Sequence, residues 1–133
     1  MLRFMLDTDV SSYVMNRSSL GAIRRLQSQA VGDVRISAIT RSELEYGVEV
    51  SPRKAKDRRA LDIFLEHIEV QDYPSAAAMD YAQIRGFLKA RGRIIGANDL
   101  LIAAHARYQG LTLVTDNSRE FARVPGLAIE NWT

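Results

Sequence analysis

Two short apolar runs break off at a carboxylate: "RFMLD", residues 3–7, and "LTLVTD", residues 111–116. Runs of this length and uniformity read as strands buried on both faces, and such strands need helices on each side. The intervening chain supplies them. Mixed polar and apolar residues at helical spacing run from Ser11 to about Asn16 and from Ser19 to Gln29. "DVRISAIT", residues 33–40, alternates Val34, Ile36 and Ala38 as a strand would. A helix is expected over Arg41–Val50, with Leu44, Val48 and Gly47 on one face. Another is expected over Lys54–His67, with Leu61, Phe64, Leu65 and Ile68 as its inner stripe. "IEVQDY", residues 68–73, is a strand stopped by Pro74, and Ser75 is placed to cap a helix reaching Ala90 and ending near Gly92. A helix over Asn98–Gln109 stops at Gly110, "SREF" makes one helical turn, and "LAIENW", residues 127–132, is the last strand. The alternation predicts one domain over residues 1–133, a three-layer α/β/α sandwich with a mostly parallel central sheet.

Composition excludes several classes. The 133 residues suffice for one core, and 47% are apolar. No apolar run approaches the roughly 20 residues of a spanning helix, and Asp7 interrupts the opening patch before it could act as a secretion signal. Without cysteine there is neither disulfide nor thiolate metal site, which fits a reducing cytoplasm, and two histidines, His67 and His105, argue against zinc. The net charge of +2 is mild, but the basic residues cluster. Arg53, Lys54, Lys56, Arg58 and Arg59 form one group, and Arg85, Lys89, Arg91 and Arg93 another. Such groups track a phosphate backbone or simply form a solvated helix face.

The acids fall at one type of location. Asp7 ends the first strand, Asp116 ends the fourth, and Glu43 and Asp99 begin helices. Each has an ordinary explanation as a cap, a turn residue or a helix-dipole partner. Ligands of a parallel sheet collect at the carboxyl ends of its strands, however, and capping gives no reason for four acids to converge there. Converging carboxylates need protonation or a hard cation to offset their repulsion. An all-oxygen site suits Mg²⁺ or Mn²⁺ and metal-assisted hydrolysis of a polyanion.

The phrases "MLDTDVSSYV", "ISAITRSELEYGVEVS", "ARGRIIGANDLLIAAHARYQGLTLVTDNSREFARVPGL" and "IENW" resemble PIN-domain nucleases, and especially VapC toxins of type II toxin–antitoxin systems. The likeness covers nearly the whole chain in order, and within the family it is nearest to toxins that cut initiator tRNA in the anticodon loop. The resemblance implies a cytoplasmic, Mg²⁺-dependent endoribonuclease, with Mn²⁺ as a substitute, acting on tRNA. It implies a homodimer that forms a hetero-oligomer with a VapB-type antitoxin. It implies catalytic acids at Asp7, Glu43 and Asp99, of which Asp7 and Asp99 bind the metal, and a fourth at Asp116 or Glu120, with Asn117 where other branches place an acid. Asp9 departs from the family's usual Asn.

Lesser expectations complete the reading. Thr8, Asn98 and Thr115 either support the carboxylates or serve turns. His105, six residues beyond Asp99, is a packed or capping histidine. Tyr13, Tyr46 and Phe64 fill the core or a partner groove in preference to stacking on bases, and Trp132 packs at the end of the last strand. Two other functions fit parts of the sequence. "DTDV" also matches the start of haloacid-dehalogenase-like phosphatases, with Asp7 as nucleophile, although the paired acidic motif of that fold is missing. A non-catalytic RNA- or protein-binding module is the other.

Overall fold

Side chains of Phe4–Leu6 (β1) alternate between two apolar layers, Phe4 and Leu6 facing one and Met5 the other. The computed structural model describes residues 2–30 and 32–133, and among them five strands form one parallel sheet. β1 is its centre. Val34–Ser37 (β2) and then Glu69–Gln71 (β3) lie on one side, Thr112–Val114 (β4) and then Ile129–Glu130 (β5) on the other, in the order β3-β2-β1-β4-β5. The register pairs Met5 with Arg35 and Leu113, and Leu6 with Ile36 and Val114.

Parallel neighbours need crossovers, and the helices that make them cover both faces. Thr8–Met15 (α1), Leu20–Gln27 (α2), Ala38–Glu49 (α3) and Lys54–His67 (α4) bring Val10, Ala22, Leu44, Val48, Leu61 and Phe64 over Phe4 and Leu6. Ala78–Ala90 (α5), Ala97–Gln109 (α6) and Ser118–Phe121 (α7) bring Ile84, Leu88, Ile102 and Phe121 around Met5 and Leu113. This is the expected three-layer sandwich, with a sheet that is parallel throughout the described residues. Strand order reverses between β1 and β4, which opens a crevice beyond their carboxyl ends.

Several expected boundaries move, each for a local reason. α1 begins at Thr8, not Ser11, because Asp7 caps it. β2 ends at Ser37, not Thr40, because the Ser37 hydroxyl accepts the Ile39 N–H and starts α3 at Ala38. Ser75 does not cap: Pro74 leads into a 3₁₀ turn, Ser75–Ala77, that runs on into α5. β3 and β5 are shorter than 68–73 and 127–132: as edge strands they pair on one side only, over Glu69–Gln71 against β2 and Ile129–Glu130 against β4. Gly47 is exposed, whereas Leu44 and Val48 are buried as expected. Gly110 ends α6 at φ 68°, a left-handed turn that favours glycine, and lets the Leu111 N–H return to the Ala106 carbonyl. Trp132 is buried edge-on against Phe4, as expected of a packing residue.

One buried contact ties the sheet to both helices that carry predicted acids. Ser37 Oγ, which caps α3, lies 2.8 Å from His105 Nδ1 on α6, and both residues are fully buried. His105 is thus the packed residue expected, lying edge-to-face with Tyr73, and burial lowers its pKa so that the ring is neutral. Ser37→Ala removes a cap and leaves both ring nitrogens unpartnered; the expected loss is roughly 2–3 kcal/mol, measured by urea unfolding. A loss below about 0.5 kcal/mol, the level of a surface change, would refute the role.

Candidate active site

The crevice beyond β1 and β4 holds a cavity of about 160 Å³ lined by Asp7, Thr8, Asp9, Glu43, Asp99, Asn117 and Phe121. Asp7 is its most constrained member, at 3% exposure. Its Oδ1 accepts the Val10 N–H at 2.9 Å, and the Thr115 hydroxyl at the end of β4 adds a side-chain hydrogen bond. Its backbone is pinned as well: the Asp7 N–H donates to the Val114 carbonyl, and the Ser11 hydroxyl to the Asp7 carbonyl. Capping and site membership therefore coexist in one residue.

Asp99 is different. The N-cap of α6 is Gly96, which has no side chain to contribute, and Asp99 sits at the third helical position without capping it. Its carboxylate makes no hydrogen bond or ion pair among the described residues and opens into the cavity. Behind it, Ile102, Ala103, Ala104, His105 and Ala106 are fully buried, so the acid projects from a fixed element. Glu43, one turn into α3, receives the Thr8 hydroxyl, which lies 3.4 Å from the Thr40 hydroxyl. Thr40 carries no signal of its own in the sequence, although its position three residues before Glu43 puts both on one helical face.

The remaining acids divide. Asp9 lines the cavity with the others. Asp116 does not line it: it is exposed and accepts the Tyr13 hydroxyl at 2.7 Å, which pushes the Tyr13 pKa up to about 12. Glu120 accepts the Asn117 amide, and Asn117 is the residue after β4 that faces the cavity. Of the expected supports, Thr8 and Thr115 hold carboxylates, whereas Asn98 is exposed. Phe64 is core and Tyr46 is 68% exposed. Phe121, which sequence reading assigned no site role, is the apolar wall of the cavity.

Electrostatics follow from this crowding. Burial raises Asp7 to about 7 against the two hydrogen bonds that lower it, and the charges of Asp9 and Asp116 add to the rise. Burial, then Glu43, Glu120 and Asp9, raise Asp99 to about 6. Asp9 is raised too, by burial and then by Asp116 and Glu43. No cationic side chain lines the cavity. Among the described residues no three acidic or histidine side chains are grouped tightly enough to enclose an ion by themselves. The donor set is all oxygen, in a chain without cysteine, and so fits a hard cation that keeps much of its water.

Residues 4–127 match the PIN domain family. The chain is 41% identical over 130 residues to Ribonuclease VapC2 of Rickettsia felis, covering 97% of each protein. It is 40% identical over 133 residues to the tRNA(fMet)-specific endonuclease VapC of Shigella flexneri, covering all of both. The chain belongs to the PIN-domain family, among the VapC ribonucleases. The fold agrees: a chain in the crystal structure of VapBC2 from Rickettsia felis bound to a promoter DNA fragment superposes with a TM-score of 0.93 at 39% identity, covering 99% of this chain and 100% of that one. A chain of DNA-bound VapBC from Salmonella typhimurium gives 0.93 at 38% identity, with full coverage of both. The dehalogenase-like reading of "DTDV" falls with this membership. In this VapC-family chain the same phrase supplies Asp7, Thr8 and Asp9 to a PIN cavity.

The raised Asp7 value has a measurable consequence. The folded protein holds a proton that the unfolded chain, with a value near 3.8, releases, so the stability it brings is present below pH 3.8 and lost as pH rises through 7. At pH 8, in EDTA, Asp7→Asn keeps an oxygen for the Val10 N–H and is expected to stabilise the protein by roughly 1–3 kcal/mol, given about 1.4 kcal/mol for each pH unit. The gain should vanish near pH 4. Urea unfolding at both pH values checks this, and an Asp7→Asn protein that is less stable at pH 8 would contradict the burial cost.

Proposed function

We propose that this chain is the toxin of a type II toxin–antitoxin pair, an endoribonuclease that cuts tRNA with the help of Mg²⁺, for which Mn²⁺ substitutes. The observation that carries the reading is the placing of Asp7, Asp9, Glu43 and Asp99 around one cavity at the reversal of strand order. Ribonucleases of this family depend on a divalent cation. Asp7 and Asp99 are the residues we assign to hold it, the first because it is fixed and buried, the second because its carboxylate is otherwise unengaged. When bound, such a cation supplies Lewis acidity that activates water and offsets charge on the phosphodiester.

The chain's own groups do the rest. Thr8 orients Glu43, which accepts a proton from the attacking water or aligns it. Thr115 and the Val10 N–H keep Asp7 from turning away. Phe121 excludes bulk water from one wall, which strengthens every electrostatic contact inside. Glu120 acts through Asn117 as a positioning group, and Asp116 stands further out.

Relatives from Shigella flexneri and Salmonella typhimurium named tRNA(fMet)-specific endonucleases, at 40% and 39% identity, support initiator tRNA as substrate; the anticodon loop is the cleavage site we propose. The VapBC structures support a VapB-type antitoxin as partner, and a homodimeric toxin is part of the same proposal. An apolar groove of about 750 Å³, where α1 and α2 face α4, has Val14, Met15, Leu26 and Phe64 in its lining and Ile63 exposed at 56%. A groove of that kind fits a partner helix. An Arg or Lys from the same partner, reaching the carboxylates, would replace the cation by a charge-assisted pair. Such a protein acts where tRNA is, in the cytoplasm, and no helix among the described residues is long and apolar enough to cross a membrane.

Purified protein with Mg²⁺ should cleave tRNA, and EDTA should stop it. Asp7→Asn and Asp99→Asn are each expected to lower kcat by about 10²–10³, and Asp116→Asn by less than about tenfold, because its carboxylate is outside the cavity. RNA bound but left intact by the unsubstituted protein would leave the non-catalytic binding module as the correct reading.

A further inference from the structure

The second concavity near the acids is basic. Arg93, Arg119, Ala122 and Arg123 line an open hollow of about 500 Å³. Arg119, Ala122 and Arg123 are spaced i, i+3, i+4 on α7 and the turn that continues it, where the Ala122 and Arg123 N–H groups bond back to Ser118 and Glu120. They therefore share one face. Asn117 and Phe121, on the same short element, line the acidic cavity instead. Arg93 belongs to the loop between α5 and α6, six residues before Asp99.

None of these three guanidinium groups has an acidic or aromatic partner among the described residues, which is equally true of Arg17, Arg24, Arg53 and Arg59; what sets the three apart is that they converge on one hollow. Two of Arg93's neighbours in the second basic cluster are engaged, since Arg85 donates to the Tyr81 hydroxyl and Arg91 lies 3.5 Å over the Phe87 ring. In the first cluster, Lys54 pairs with Glu49, and Arg58 with Glu45 and Asp62. Three like charges around an unfilled hollow repel one another, and an anion with several oxygens would relieve that repulsion. A phosphodiester chain has such groups at regular spacing, and α7, which borders both concavities, offers a strand held at the carboxylates a short way to the arginines.

We infer that Arg93, Arg119 and Arg123 form a phosphate cradle that receives the RNA backbone next to the scissile bond, with α7 as the divider between cradle and carboxylates. This rests on the nuclease reading above. The cradle binds substrate and transition state alike, so its loss should appear in KM and not in kcat.

The test is the triple variant Arg93→Gln, Arg119→Gln, Arg123→Gln, assayed for tRNA cleavage with Mg²⁺ across a salt series. A matched triple variant, Arg24→Gln, Arg53→Gln, Arg59→Gln, removes equal charge elsewhere on the surface. The cradle variant is expected to raise KM about 10–100-fold, to change kcat by less than about threefold, and to reduce the slope of log(kcat/KM) against log[salt] by up to about 2, some 0.7 per lost phosphate contact on a single strand. Replacing the same three residues by Lys should restore the slope. Binding of a single-stranded RNA in EDTA should weaken in parallel. If the unsubstituted protein cleaves but the cradle variant keeps its KM and slope, or the matched variant loses as much, this inference alone is overturned. The same holds if only antitoxin affinity falls, since the hollow would then serve an acidic protein segment. If the unsubstituted protein does not cleave, both readings fall.

Discussion

Asp7 is a carboxylate at 3% exposure in a cavity that no cationic side chain lines, and much of the surrounding architecture follows from keeping it there. Burying a charge in an apolar sheet is costly unless hydrogen bonds or an opposite charge offset it. Here the offsets are partial. Thr115 and the Val10 N–H lower the pKa of Asp7, but burial outweighs them. The remaining imbalance is a standing preference for a proton or a cation at that point. It is reinforced by the charges of Asp9 and Asp116, while those of Asp9, Glu43 and Asp99 add to one another across the same cavity.

That imbalance can persist only because the elements around it are not free to relax. β1 is the central strand, paired on both sides, with each of its three residues in a closed apolar layer. α6 is fully buried over Ile102–Ala106, and Ser37 joins its His105 to the start of α3. Asp7, Glu43 and Asp99 therefore come from a strand exit and two helices that are mutually fixed. Repulsion among them cannot be dissipated by swinging one element outward without opening the core. Strain of this kind, concentrated where strands end, is what makes the crevice at a strand-order reversal useful for binding.

The sequence conveys the layers and the elements well and the ends of the elements poorly. The apolar runs around Met5 and Leu113, and the stripe Leu61, Phe64, Ile68, identify buried faces because burial is a property of the side chains themselves. Where β2 stops is a competition between pairing and a cap, and Ser37 decides it with one hydrogen bond that no periodicity encodes. The site shows the same division. Asp7 and Asp99 are legible as acids at element ends. Glu43 lies in the middle of α3 and not at its expected start, because Ser37 begins that helix at Ala38, and the three still come together. The residues after β4 are not so legible, because Asp116 and Asn117 are adjacent and a single turn decides which faces inward. Thr115 accepts the Asn117 N–H, which holds Asn117 toward the cavity and leaves Asp116 to Tyr13. The N-cap explanation for Asp99 fails for a comparable reason: the N-cap of α6 lies three residues earlier, at Gly96, which leaves the carboxylate free.

α7 gives the charge distribution its logic. The net charge of the whole chain is only +2, yet a four-residue helix separates a cavity of carboxylates from a hollow of arginines that lack partners. Had the two sets been able to meet, they would have paired, neutralising both the cation preference and the affinity for phosphate. Phe121 prevents it. Its ring is 1% exposed in the core between the two faces, so the helix is anchored and Arg119 and Arg123 cannot turn inward without lifting it. Asn117 and Glu120 complete the partition, since Glu120 is held by the Asn117 amide and is not drawn to the arginines on either side of it. Opposite charges kept apart at close quarters form a field that a polyanion bridged to a cation would satisfy on both sides at once.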